Sequence, residues 1–218
     1  MKSLDIETIP NEEMIQCLPE VEVAANLKDP AKIEEKRKEA KQKQINKMAL
    51  NPFYGRACSY SWCCGKGKGH VTIAAISDAD EISLINSLLS LLTIAEVHTN
   101  KIITWNGMNF DFPFIFTRAA ILKITMPDDV PGLRYWTKKY SQEPHCDLMQ
   151  ELAGWNIERR TNLDEAGRVF LGRGKTERDY KAYADLIKSG QGEIIGADNE
   201  CDAVLTWDLY EYLENYLF

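Results

Sequence analysis

No stretch of this chain approaches the roughly 18 consecutive apolar residues that a membrane-spanning helix needs. The N-terminus runs straight into a strand-like segment containing Asp5, not into a cationic start and an apolar core. The expectation is a soluble, intracellular, cytoplasmic protein with no membrane partner. The six cysteines (Cys17, Cys58, Cys63, Cys64, Cys146, Cys201) include no CxxC pair and fall mostly in apolar segments. That pattern favours reduced, buried thiols over a disulfide framework and gives structural zinc little support. Histidine is scarce: His70, His98 and His145 have no i, i+4 partner, so neither a zinc pair nor a Ser-His-Asp triad can be built on them. The tract Gly65-Lys66-Gly67-Lys68-Gly69 lacks GxxxxGK(S/T) and opens no helix, which makes it the tip of a hairpin and not a phosphate loop.

What the chain does have is an ordinary globular balance, with 44% apolar and 27% charged residues over 218 positions. A single domain over 1–218 is expected, large enough for a continuous core. The net charge of −7 suits no protein that grips nucleic acid over its whole surface, so charge has to be read locally. Residues 28–47 carry Lys28, Lys32, Lys36, Arg37, Lys38, Lys41, Lys43 and Lys47 against four acids. With Asp29-Pro30 as a start signal and Asn51-Pro52 as a stop, this stretch predicts an exposed, charged helical insertion at about 28–50.

Periodicity predicts the other elements. Residues 1–8 form a first strand, 57–63 and 70–77 a hairpin, 101–105 a short apolar strand, and 143–149 a further one. Residues 78–95 place Ile82, Ile85, Leu88, Leu89 and Leu92 at helical spacing. A helix follows at 112–121 with Pro113 in its first turn, and small helices are expected near 147–154, 162–171 and 178–189. In the last helix, about 199–216, Asp202, Leu205, Leu209 and Leu213 share a face. Strands alternating with helices predict an α/β three-layer domain with a mixed central sheet, whose site lies in a crevice at the strand ends.

Three acidic segments stand out: Leu4-Asp5-Ile6-Glu7-Thr8, Asn106 to Pro113 with Asp111, and Cys201 to Thr206 with Asp202. Asp5 and Glu7 point to one face of their strand because side chains alternate with period two. Each acid sits among apolar residues, where an unpaired charge is costly. Two carboxylates about 4 Å apart repel by about 4 kcal/mol at an effective dielectric near 20, so four in one pocket call for cations. Hard oxygen ligands select Mg²⁺ or Mn²⁺, and two such ions roughly 3.5–4 Å apart suit in-line phosphoryl displacement. Phosphodiester hydrolysis is the natural reaction.

In the order and surroundings of these segments the chain resembles the DEDD (DnaQ-like) exonuclease superfamily, and within it the proofreading exonuclease domains of family-B DNA polymerases. The matching pieces are Asp5-Ile6-Glu7-Thr8, Asn106-x-x-x-Phe110-Asp111-x-Pro113-x-Ile115, and Asp202 with Leu205-Thr206. Further similarity runs from Ala49-Leu50-Asn51-Pro52 into the hairpin and through His145-Cys146-Asp147-Leu148 and Asn162-Leu163-Asp164-Glu165, leaving out roughly 9–45. The resemblance implies a ribonuclease H-like fold and removal of nucleotides from a 3′ end with two Mg²⁺ or Mn²⁺ ions. By it Asp5, Glu7 and Asp202 ligate metal, Asp111 holds the second ion, and Thr8, Asn106 and Phe110 meet the substrate. Single-stranded DNA or a DNA 3′ end is the implied partner, with RNA an alternative and replication or repair proteins as companions. The expected enzyme is a freestanding 3′–5′ exodeoxyribonuclease.

One departure matters. The superfamily places a Tyr four residues before the last Asp, or a His five before it, to position the attacking water; here those places hold Asp198 and Ala197. Asp198 is therefore a candidate water acceptor and a fifth catalytic carboxylate, or else the sign of a weakened or inactive nucleic-acid-binding module. A structural protein built around the charged helix is the third reading. Asp147 reads as a hydrogen-bonding residue more than as a ligand. Tyr135, Trp136, Lys138, Lys139 and Tyr140 have a composition suited to stacking bases, against the alternative of surface packing beside solvated lysines, and Arg159, Arg160, Arg168, Arg173 and Lys175 could extend a phosphate track.

Overall fold

The computed structural model describes residues 1–22, 29–93 and 101–217. Lys28, His98 and the last residues expected of the 78–95 helix lie outside these. The centre is a five-stranded sheet in the order β3-β2-β1-β4-β5, built from β1 (Lys2–Pro10), β2 (Gly55–Cys64), β3 (Gly67–Thr72), β4 (Ile102–Thr104) and β5 (His145–Asp147). β1, β2 and β3 pair antiparallel, while β4 runs parallel to both β1 and β5, so the sheet is mixed as expected. Pairing slips between Glu7 and Thr8, where Cys58 of β2 faces no partner.

The chain's helices cover both faces. The charged helix α1 (Pro30–Met48) starts where Asp29 accepts from the Ala31 amide at 3.0 Å and buries only Met48. α2 (Asp78–Leu91) is capped by Ser77, and it turns Leu84, Ile85, Leu88 and Leu89 onto Leu4, Ile6 and Ile9 of β1 and Phe112 and Ile115 of α3 (Asp111–Ile121). On the opposite face the 26-residue α8 (Gly192–Leu217) packs Ala203, Leu205, Leu209 and Leu213 against Ile103 and Cys146. Short helices complete the chain: α4 (Leu133–Trp136), α5 (Leu148–Ala153), α6 (Leu163–Leu171) and α7 (Tyr183–Lys188). Each fully buried Leu or Ile contributes roughly 1.5–3 kcal/mol. No helix among the described residues is long and apolar enough to cross a membrane.

Two elements differ from expectation. α8 begins at Gly192 and not near 199, although its first turns hold two glycines, which weaken an isolated helix. Packing supplies the reason: a Cβ on Gly196 would lie 2.0 Å from His70 Cδ2, so a small residue there lets α8 lie on β3. Second, β3 takes in Gly67, Lys68 and Gly69 and ends at Thr72, leaving a two-residue Gly65-Lys66 loop. Gly69 carries no side chain where the Trp62 ring lies across it.

Candidate metal centre

Strand alternation puts Ser3, Asp5 and Glu7 on the face of β1 that looks toward α8, with Leu4 and Ile6 turned into the opposite core. Ser3 Oγ donates to the Ala203 carbonyl at 2.7 Å, tying β1 to α8 beside Asp202. The outcome is a trio, Asp5, Glu7 and Asp202, whose ligand oxygens lie within 4.8 Å of one another. Asp111, the first residue of α3, lines the same cavity from the far side of β1.

A turn carries Asp111 into place. Asn106 sits at φ 71°, in the left-handed region that Asn tolerates. Asp147 accepts from the amides of Asn106 (3.0 Å), Met108 (3.0 Å) and Gln150 (3.3 Å), so it is a structural acceptor. His145 donates from Nδ1 to the Trp136 carbonyl at 2.7 Å, and its Nε2, also 2.7 Å away, accepts from Thr104 Oγ1, which in turn accepts from the Gly107 amide. A Cβ on Gly107 would meet Thr104 Oγ1 at 2.3 Å, so only glycine fits there. Burial lowers the His145 pKa from 6.5 to about 4. The folded state refuses a proton that the unfolded chain takes up below about 6.5, so the stability contributed by neutral His145 is full above that pH and is lost as pH falls toward 4. The difference in melting temperature between wild type and His145→Gln is therefore expected to shift against wild type as pH falls from 7 to 4, because the variant lacks this titration.

Like charges crowd this centre. Asp5 and Glu7 keep part of their surface open to the cavity yet lie deep among protein atoms. Burial first, then Asp111, Asp202 and Glu7, hold the Asp5 pKa well above the carboxylate range. Burial and Asp202 raise Glu7 to about 8, against Lys175 and Arg178. Burial raises Asp111 to about 7, opposed by its own amide and that of Ile6. Oδ1 of Asp111 and Oδ1 of Asp202 are buried without a hydrogen-bond partner. Such orphaned oxygens in an all-carboxylate donor set fit hard divalent cations.

Two cations of the protein already reach in. Lys175 Nζ lies 2.5 Å and Arg178 Nη1 2.9 Å from Asp202 Oδ2. Arg178 has no place in the sequence reading, because it belongs to no spaced motif. The one signal for it was the need of four carboxylates for positive charge, which the basic stretch from Arg173 to Lys181 can meet. Asp198 does not line the cavity; its carboxylate faces Arg178 Nε at 3.6 Å and the Tyr183 hydroxyl at 3.5 Å.

Beside the carboxylates opens a cavity of about 880 Å³, whose walls include Thr8, Asn106, Phe110, Tyr180 and the Gln42, Ile45, Asn46 face of α1. That is within the roughly 300–1,000 Å³ usual for ligand sites. Thr8 Oγ1 donates to the Ala49 carbonyl at 2.6 Å, Asn106 Oδ1 accepts from Asn109, and Phe110 rests on Phe114. The expected phosphate track is not assembled: Arg160 donates to Gln150, Arg168 pairs with Asp164, Arg173 pairs with Asp208, and of the five only Lys175 lines the cavity. Of the 135–140 aromatics, Trp136 is fully buried and stacks on Phe112, whereas Tyr135 and Tyr140 stay exposed.

Comparison with known proteins identifies the family and the fold. Residues 50–216 match a family described as "Predicted 3'-5' exonuclease related to the exonuclease domain of PolB". DNA polymerase 1 of Aeropyrum pernix is 26% identical over 159 residues, covering 67% of this chain and 16% of that polymerase. The catalytic polypeptide of DNA polymerase epsilon from Emericella nidulans is 29% identical over 133 residues, covering 57% of this chain and 6% of its own length. The family B DNA polymerase of Pyrobaculum calidifontis superposes on 98% of this chain and 24% of its own, with a TM-score of 0.58 at 14% identity, and shares the ribonuclease H-like fold. The chain thus spans a small part of each relative, and it belongs to the family of predicted 3′–5′ exonucleases related to the exonuclease domain of PolB.

Proposed function

We propose that this chain removes nucleotides from the 3′ end of single-stranded DNA by metal-dependent hydrolysis, within one domain spanning 1–218 that carries α1 as an insertion. The observation that carries the reading is the convergence of Asp5, Glu7, Asp111 and Asp202, with buried oxygens lacking hydrogen bonds, on a cavity that can hold a terminal nucleotide. Asp5, Glu7 and Asp202 would hold one Mg²⁺ or Mn²⁺ and Asp111, with Asp5, a second. Such ions supply a water of lowered pKa and charge neutralisation at the attacking and leaving oxygens. The chain's own residues do the rest: β1 and α8 fix the carboxylates, Phe110 and Asn106 wall the terminal base and sugar, and α1 bounds the cavity opposite them.

The test uses single strands labelled at the 3′ or the 5′ end, with Mg²⁺ or Mn²⁺ titrated in. Early loss of 3′ label as mononucleotide, abolished by chelator, is the expected result. Cleavage that persists in chelator would overturn it. Two observations favour a second reading, a binding module of weak activity: Asp198 holds the place of the expected Tyr, and Lys175 and Arg178 already occupy the acidic centre. That reading predicts strands bound and left uncut.

A further inference from the structure

Arg178 is a cation of the site whose bonding is incomplete. Its side chain is 1% exposed, and none of Nε, Nη1 and Nη2 has an aligned hydrogen bond. Its contacts are single-atom approaches to carboxylates: Nη1 to Asp202 at 2.9 Å and to Glu7 at 3.9 Å, Nε to Asp198 at 3.6 Å. A guanidinium cannot shed its proton, and a buried one left unpaired costs several kcal/mol. Glu7 and Asp202 do not satisfy it, and both are among the residues that would hold the metal. Asp202 is in any case already paired with Lys175. Of these three carboxylate neighbours, Asp198 alone lies outside the acidic quartet, one helical turn before Asp202 on α8. The Tyr183 hydroxyl, 3.5 Å from Asp198 Oδ2, leaves Oδ1 turned to Arg178.

We propose that Arg178, aimed by Asp198, binds the phosphate of the 3′-terminal nucleotide, directing its free donors to the non-bridging oxygens. This rests on the exonuclease reading and sharpens it. Five N–H donors in a rigid fork match an oxyanion as an ammonium does not, and Arg178 lines the cavity where that phosphate would lie. Asp198 is then a positioning residue for the guanidinium and does not itself accept from the water. The place left without a Tyr hydroxyl is served instead by a cation reaching in from the segment before α7.

The experiment compares the wild-type chain with Arg178→Lys, Arg178→Met and Asp198→Asn. It reads kcat and KM on a labelled single strand, calorimetric affinity for Mn²⁺, and affinity for thymidine 5′-monophosphate in the presence of Mn²⁺. Arg178→Lys is expected to lower kcat by about 10²-fold, the usual loss on removing one oxyanion donor, and to weaken nucleotide binding about tenfold, with Mn²⁺ affinity unchanged. Asp198→Asn is expected to lower kcat and nucleotide affinity in the same direction and by less. If Arg178→Lys keeps both within twofold, Arg178 is only a counter-ion and the proposal fails. Should Arg178→Met not fold, the lysine and Asp198→Asn variants decide alone. If wild type cuts no strand, the exonuclease reading fails by itself. The nucleotide titrations then judge Arg178: loss in Arg178→Lys upholds the phosphate contact, and retention overturns it.

Discussion

Asp5→Asn is expected to reduce metal-dependent strand cleavage by on the order of 10³-fold or more while making the metal-free protein more heat-resistant. The first effect follows from removing a central ligand: several kcal/mol of charge stabilisation in the transition state, at 1.36 kcal/mol per factor of ten, gives that magnitude. The second follows from protonation. Burial and three neighbouring acids raise the Asp5 pKa, Glu7 rises to about 8, and Asp111 to about 7. A carboxyl whose folded pKa is raised binds more protons folded than unfolded. Its contribution is therefore present below the unfolded value and lost as pH rises through the folded one. In chelator, the melting temperature should fall between about pH 5 and pH 8.5. The asparagine variant should fall less, because the quartet has lost one charge. Mn²⁺ should restore wild type most strongly at the alkaline end, where the carboxylates are free of protons. A variant that loses activity and stability together at pH 8 would mean that Asp5 is structural.

The largest stability effect is expected at Glu81, which is fully buried in α2. Its Oε1 accepts from the Ala57 amide at 2.9 Å and Arg118 Nε at 2.8 Å, and its Oε2 from Arg118 Nη2 at 2.6 Å. Arg118 also donates to the Pro52 carbonyl at 3.2 Å, and Arg56, itself paired with Asp78 at 2.8 Å, approaches Glu81 at 3.7 Å. The network ties β2, α2 and the segment after α1 to α3, whose first residue is Asp111. Glu81→Gln leaves two buried guanidinium groups without their shared counter-charge. A loss of about 3–5 kcal/mol is expected, a large share of the 5–15 kcal/mol typical of a domain. Urea unfolding should show a lowered midpoint at unchanged slope. The double variant Glu81→Leu with Arg118→Leu should lose less than the two single changes summed, since it removes both charges.

Much of this was legible because it is local. Helix spacing in 78–92 named Ile85, Leu88 and Leu89, which α2 buries, but passed over Leu84 and counted Ile82, which stays half-buried; Asp29-Pro30 named the start of α1, and Asn51-Pro52 its end. Where the reading failed, partners distant in sequence decided. The composition of 135–140 says nothing about which ring turns inward, and Trp136 went under Phe112. Arg160, Arg168 and Arg173 look free in the sequence and are paired in the fold. Glu81 reads as a polar residue in the first turn of a helix, and no periodicity marks it as the centre of a buried ion network.

By itself the sequence determined that Asp5 and Glu7 share a face, that Asp202 lies on the buried side of its helix, and that a turn delivers Asp111 at a strand's end. Strand and helix periods oblige neighbours in sequence to take those directions. Only the tertiary structure decided which charges meet. It drew Lys175 and Arg178 into the acidic centre, and it turned Asp198 from the cavity toward Arg178. The path of the segment between α6 and α8 across the sheet sets those encounters, and the Coulomb energy of a charge depends on distance and burial, neither of which residue spacing encodes.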